Sequence, residues 1–259
     1  MLGAIAGDMI GSIYERNNIK TTRFPLWHRH STFTDDSVLT IATADCLMNY
    51  GDYAHYYRKY YTHYPRAGYG GRFMQWAEQY GVPAYNSWGN GSAMRVSPVA
   101  WWYQTEADVL EAAKESAQVT HNHPEGIKGA QAVALAVYMA RKNAGKNEIL
   151  KRIALDFDYS LTESISEIRK WYAFDVSCQG SVPQAIRAFY ESESFEEAIR
   201  LAISIGGDSD TIACISGAIA EAYYGRVPPS ICHEIETRLP VELLKTVSAF
   251  YREIQSTHY

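Results

Sequence analysis

Cysteine is scarce in this chain and never paired along it: Cys46, Cys178, Cys214 and Cys232 are the four among 259 residues. No C-x-x-C occurs and the spacing fits no zinc pattern, so reduced thiols are expected rather than a disulfide framework or structural zinc. A basic excess is also missing. Lys and Arg number 24 against 29 Asp and Glu, a formal net charge of −5, which leaves no electropositive footprint for wrapping nucleic acid. That balance still admits a small anionic ligand, which needs only local donors. No apolar run reaches the roughly 18 residues of a membrane-spanning helix. The apolar N-terminal stretch has no basic leader and is broken by Asp8 and then Glu15, so it makes a poor signal peptide. A cytoplasmic protein with no membrane partner is the expectation. Alternating strand patterns, low-complexity linkers and internal repeats are lacking as well.

What the chain does have is helical periodicity. Apolar residues recur at steps of three and four over 36–50, 106–119, 125–143 and 240–254. Ser194 with Glu197 three positions later opens 194–204 with a capping-box signature. Residues 211–224 are apolar nearly all round and stop at Gly225, the pattern of a buried central helix with a glycine cap. Pro228-Pro229 then start a new segment. These patterns predict an all-α architecture, one domain over 1–259 with about ten or more helices. The irregular stretches 16–33, 63–72, 84–92, 120–124 and 173–182 collect much of the Gly, Pro, Trp and His. Loops on a rigid scaffold are where binding groups concentrate.

Two acidic clusters carry the chemistry: Phe33-Thr34-Asp35-Asp36-Ser37 and Gly206-Gly207-Asp208-Ser209-Asp210-Thr211. Each precedes a helix, so each has a plain reading as an N-cap. Together they offer Asp35, Asp36, Asp208 and Asp210 with the hydroxyls of Thr34 and Thr211. Oxygen-only ligands of that number suit two hard divalent cations. A calcium EF-hand does not fit the second cluster, because Ile212 and Ala213 fall where that loop needs an oxygen ligand and a glycine. Gly206-Gly207 permits unusual backbone angles and close approach of a ligand. Side-by-side packing of the two helices would crowd four carboxylates, and a cation is the simplest neutraliser.

Other motifs are weaker alone. Gly7 and Gly11, four apart, permit close helix packing, and Glu15 follows at a loop. Gly89-Asn90-Gly91-Ser92-Ala93-Met94-Arg95 is a glycine-rich run into a helix whose amides can cradle phosphate, although Asn-Gly is also a common turn. Arg95 suits a carboxylate or a phosphate, but such an arginine more often supports the fold. His121-Asn122-His123-Pro124 favours ligand hydrogen bonding or helix capping over zinc. Tyr69, Tyr85 and Trp88 sit in glycine-containing loops where a ring can stack on a base.

The motifs GDMIGSIYE, FTDDS, PRAGYG, GNGSAMR, THNHPEG and GGDSDTIACISGAIAEAYYG occur in the order seen in the ADP-ribosylglycohydrolase family, which this chain resembles from residue 1 to about 228. The resemblance implies a compact orthogonal α-helical bundle with a binuclear Mg²⁺ cleft, Mn²⁺ being an alternative ion. It implies hydrolysis of the bond from the anomeric carbon of ADP-ribose to a modified protein side chain or small molecule. It implies metal ligation by Thr34, Asp35, Asp36, Asp208, Asp210 and Thr211. It places Glu15 near the metals, Gly89 to Arg95 at the diphosphate and adjoining ribose, and His121 against the ligand. Glu15 or Asp35 is then the candidate catalytic carboxylate, and Asp35 also faces the substrate. Loops 16–33, 63–72 and 173–182 are expected to form the rim that selects the leaving group. Two other functions suit the same residues: a non-catalytic ADP-ribose-binding or structural member of the fold, and another two-metal hydrolase such as a phosphodiesterase.

Overall fold

No strand forms among the described residues, and extended pairing is limited to one isolated antiparallel bridge between Gly89 and Ser177. The structure, a computed structural model, describes residues 1–256. In chain order its helices are α1 Leu2–Gly11, α2 Asp35–Met48, α3 Tyr53–His63, α4 Gly71–Glu78, α5 Gly91–Met94, α6 Ser97–Trp102, α7 Glu106–Gln118 and α8 Pro124–Arg141. They continue with α9 Lys146–Phe157, α10 Ile165–Trp171, α11 Cys178–Glu191, α12 Phe195–Ser204, α13 Ser209–Tyr224, α14 Pro229–Arg238 and α15 Val241–Ser256. The expected all-α bundle is therefore what forms.

Local chemistry sets most of the boundaries. Thr34, Asp52, Thr105, His123, Ser164, Ser177 and Ser194 each accept a backbone N–H of the helix that follows. Gly225, at φ 79°, ends α13 as its pattern predicts. The box predicted at Ser194 forms only by half. Ser194 Oγ accepts from Glu197 N at 3.2 Å, whereas the Glu197 carboxylate accepts from Glu193 N at 2.6 Å. A complete box forms instead at Ser164 and Glu167. The stretch 173–182, expected to be irregular throughout, turns helical at Cys178 because Ser177 caps α11.

Helix α13 is the axis of the bundle. Every residue from Ser209 to Ala222 is buried, and α1, α8, α11 and α12 pack around it. Its contact with α1 is backbone against backbone. A Cβ at Gly3 would stand 2.1 Å from Gly217 O, one at Gly7 2.0 Å from Ala213 O, and one at Gly11 2.5 Å from Asp210 Cα. Only a residue without a side chain fits at such separations. The three glycines recur every four residues and line one face of α1. Gly206 and Gly207, at φ 77° and 72°, turn the chain sharply into α13. Asn18 pins that turn, accepting from Gly207 N at 2.7 Å and donating to Gly207 O at 2.9 Å.

Gly7→Ala is expected to destabilise the fold by about 3 kcal/mol, since rigid backbone faces the new methyl. Gly71→Ala, where a Cβ meets nothing within 4 Å, is expected to be neutral or slightly stabilising. Urea unfolding of the two variants beside the parent makes the comparison, and equal midpoints would contradict it.

Candidate active site

The two acidic clusters meet. Thr211 Oγ1, in the first turn of α13, donates to Asp36 Oδ2 in the first turn of α2 at 3.2 Å. Thr34 caps α2 by accepting from Asp36 N at 3.3 Å. Asp208 stands at the N-cap of α13 without capping it. Its Oδ2 accepts from Asn90 Nδ2 at 2.6 Å instead, which ties the glycine-rich loop to the acidic cluster. Asp35 N donates to Ala67 O at 2.7 Å, and the Asp35 carboxylate lies close to Gly68. Asp36 Oδ1 is buried with no hydrogen-bond partner.

Asp8 is the residue that sequence reasoning missed. Oxygens of Asp8, Asp36 and Asp210 lie within 4.8 Å of one another, a buried tri-aspartate cluster able to coordinate a divalent metal. Asp8 itself is heavily used. Its Oδ1 accepts from Thr34 Oγ1 at 2.7 Å, and its Oδ2 accepts from Thr34 N at 2.9 Å, Ser37 N at 3.0 Å and the Ser37 hydroxyl. With four donors already on it, Asp8 holds the start of α2, and Asp36 and Asp210 are the better ligands. Its signal was visible as a lone carboxylate in the apolar run 1–10.

The electrostatics are one-sided. Burial pushes the Asp8 carboxyl up to about 6. Burial, then the charges of Asp8 and Asp208, hold Asp35 well above its ordinary value. Asp36 is held well above by burial and then by Asp8, Asp35 and Asp208, and Asp210 by burial and then by Asp36, Asp208 and Asp8. Asp208 is raised by burial against hydrogen bonds from Asp210, Asn90 and Thr211. Among the described residues no lysine or arginine forms an ion pair with any of them. A like-charged buried group with an orphan oxygen and hydroxyls beside it fits hard divalent cations.

The acidic residues help line a cavity of about 410 Å³. Glu15, Thr34, Asp35, Asp36, Asp208, Asp210 and Thr211 are among its lining residues. Glu15 is raised by burial and by Asp208, with Arg16 opposing. Gly89, Asn90, Gly91, Met94, Arg95 and His121 line the remainder with Arg72, Tyr85, Phe174 and Val176. Ser92 and Ala93 are fully buried behind this wall, with Ser92 Oγ donating to Gly126 O at 2.7 Å.

The expected phosphate cradle is narrower than its motif. Gly89 N already donates to Ser87 Oγ at 3.1 Å and Asn90 N to Val176 O at 2.7 Å. Gly91, whose amide forms no hydrogen bond among the described residues, is the one of the three left with a donor. Arg95 is turned inward and fully buried. Of the three aromatic candidates, Tyr85 lines the cavity. Tyr69 is buried with its face stacked on Phe73 at 5.2 Å, and Trp88 packs against His123 at 5.4 Å. The expected rim is also smaller. Residues 63–72 and 173–182 contribute Gly68, Gly70, Gly71, Arg72, Phe174 and Val176, but no residue of 16–33 lines the cavity. That stretch is tied elsewhere, through Lys20 on Tyr172 O and Arg200 on Thr22 O and Phe24 O.

The sequence profile of the ADP-ribosylglycohydrolase family matches residues 1–258. The chain belongs to that family. It is similar to ADP-ribosylhydrolase ARH3 of Mus musculus, 28% identical over 89% of this chain and 84% of that protein. ARH3 of Homo sapiens is likewise 28% identical, over 89% and 86%. ADP-ribosylarginine hydrolase Tri1 of Pseudomonas putida (strain GB-1) is 25% identical over 87% of this chain and 69% of that one. A solved structure described as an ADP-ribosylglycohydrolase-related protein complex superposes with a TM-score of 0.71 and 26% identity, covering 97% of this chain and 96% of the other.

Two outcomes follow for this member of the family. The metal-free folded chain holds protons on the raised carboxyls that the unfolded chain gives up near its ordinary carboxylate pKa. Stability of the metal-free protein therefore falls as pH rises through the folded values, so its Tm is expected to increase as pH falls from about 7 to about 5, through the Asp8 value of about 6. Excess Mg²⁺ should flatten that trend; a metal-free Tm that instead drops on acidification over this range speaks against it. Asp36→Asn is expected to raise the metal-free Tm and to abolish any rise produced by an added divalent cation, which for a ligand at about a hundred times its Kd is worth about 2.7 kcal/mol.

Proposed function

We propose that this chain is a magnesium-dependent hydrolase that cleaves the N- or O-glycosidic bond between ADP-ribose and a modified side chain or small molecule, releasing ADP-ribose. The polarity of the cavity carries the reading. Crowded carboxylates share the cavity with a separate set of donors, Arg72, His121 and the open Gly91 amide. An elongated ligand with an anionic middle and a hydroxyl-rich end matches that distribution. The relatives' names share ADP-ribose and differ in what it is attached to, which makes the leaving group the variable part.

Thr34, Asp35, Asp36, Asp208, Asp210 and Thr211 would hold two Mg²⁺ ions, with Mn²⁺ as a substitute. When bound, such ions supply countercharge and Lewis-acid polarisation of ribose hydroxyls and water. The protein's own groups do the rest. Cleavage at an anomeric carbon passes through an oxocarbenium-like state, which the surrounding carboxylates stabilise. Glu15 takes no hydrogen bond on its carboxylate among the described residues, and its raised proton affinity suits a group that accepts a proton from water. Asp35, fixed through its amide to Ala67 O, orients the ribose hydroxyls. The Gly91 amide and His121 hold the diphosphate, and Tyr85 offers a ring face toward the base.

The test is a panel of ADP-ribosylated arginine, serine and small-molecule conjugates, incubated with and without Mg²⁺ and read by mass spectrometry. Free ADP-ribose that depends on Mg²⁺ is expected from at least one substrate. AMP as the product would assign a phosphodiesterase, and binding without turnover would assign a non-catalytic member. Glu15→Gln should lower kcat by roughly 10²–10⁴ while keeping the Tm rise with Mg²⁺.

A further inference from the structure

Beside the cavity, the side chains of Arg95, Thr120 and His121 form a directed hydrogen-bond chain. Arg95 Nη2 donates to Thr120 Oγ1 at 2.8 Å and to Ser116 O at 3.0 Å. Thr120 Oγ1 lies 2.7 Å from His121 Nδ1. Arg95 lies with its guanidinium carbon 4.1 Å over the Tyr57 ring, so the group is clamped from its face as well. Arg95, Ser116 and Thr120 are all fully buried. On the other side of the imidazole, Nε2 faces the glycine-rich loop. It lies 3.2 Å from where a Cβ at Gly91 would stand and 3.5 Å from the same point at Gly89. The two glycines leave Nε2 open to the cavity.

Hydrogen-bond bookkeeping fixes the directions. A guanidinium has donors only, so Thr120 Oγ1 must accept from Arg95. The hydroxyl has one proton left to give. Thr120 is sealed from water, and its hydroxyl meets no acceptor among the described residues other than His121 Nδ1. A protonated Nδ1 would strand that hydroxyl proton in the interior, at the full cost of an unsatisfied buried donor. We infer that Arg95, acting through the Thr120 hydroxyl, locks His121 in the tautomer that carries its proton on Nε2, so that the ring presents a fixed donor to an anionic oxygen of the ligand at Gly91. Arg95 and Thr120 are then positioning residues. Burial, with the charges of Arg95 and Arg72, keeps the ring neutral and so leaves the tautomer as the variable that matters.

That the bound oxygen belongs to a diphosphate rests on the proposed function; the tautomer does not. Two-bond ¹H–¹⁵N correlation spectra of the ¹⁵N-labelled, ligand-free protein near neutral pH read the tautomer directly. The chain has eight histidines, and His121 is assigned by the signals missing from His121→Asn. A pyridine-like Nδ1 and a pyrrole-like Nε2 are expected in the parent. Thr120→Val should shift the pair toward the other tautomer or toward averaged values, and Thr120→Ser should restore the parent pattern. An Nδ1–H ring or an imidazolium in the parent overturns the inference without needing any variant to fold. An unchanged pattern in a folded Thr120→Val overturns the role of Thr120. ADP-ribose titration separates the two readings. With the lock present, affinity should fall roughly ten- to a hundredfold in Thr120→Val and recover in Thr120→Ser, as for loss of a hydrogen bond to a charged group. A locked tautomer in a protein that does not bind ADP-ribose supports the relay and overturns the ligand.

Discussion

Contact between the backbones of α1 and α13 is the constraint on which the rest depends. Gly3, Gly7 and Gly11 remove every side chain from one face of α1, and Gly217 and Ala213 answer from α13. Bringing the axes that close carries Asp8, on an adjoining face of α1, up to Asp210 at the head of α13. Asp8 in turn grips the start of α2 through the amides and hydroxyls of Thr34 and Ser37. One short helix therefore holds the N-termini of two long ones together. The acidic clusters meet because a third segment brackets them.

That arrangement concentrates negative charge where proteins rarely tolerate it. The positive ends of two helices compensate part of it, at about 0.3–1 kcal/mol each in typical settings. Threonine hydroxyls and Asn90 compensate a little more. The orphan oxygen of Asp36 and the absence of any cationic partner among the described residues leave the rest standing. The fold thus stores a local instability that a divalent cation would relieve, a trade that functional sites commonly make. The remaining polar lining of the cavity is neutral or cationic, and the ring of His121 is set by Thr120 and Arg95.

Much of this was legible in the chain. Periodicity and caps placed α2, α7, α8, α12, α13 and α15 within a few residues, because those signals are local, whereas α3, α9 and α11 were not picked out. The two acidic clusters and the glycine loop were also legible, since each is contiguous. Asp8 was not, because a lone carboxylate inside an apolar run has no local partner; its four donors come from Thr34 and Ser37, reached only through the packing of α1. The stretch 16–33 looked like a rim on composition, but the Asn18, Lys20 and Arg200 bonds fold it against the 205–207 turn and α12. Tyr69 looked free to stack, yet Phe73, four positions on, takes its face.

The sequence alone determined the fold class, the family and the chemical type of the site, because helical periodicity, caps and ordered motifs are written in neighbouring residues. Tertiary structure decided which oxygens share a space, which amides of the glycine loop stay open, and which way Arg95 points. Those outcomes depend on groups far apart in the chain meeting in a dry interior. There a buried donor, acceptor or charge must find its partner, and only the packed fold determines which one is within reach.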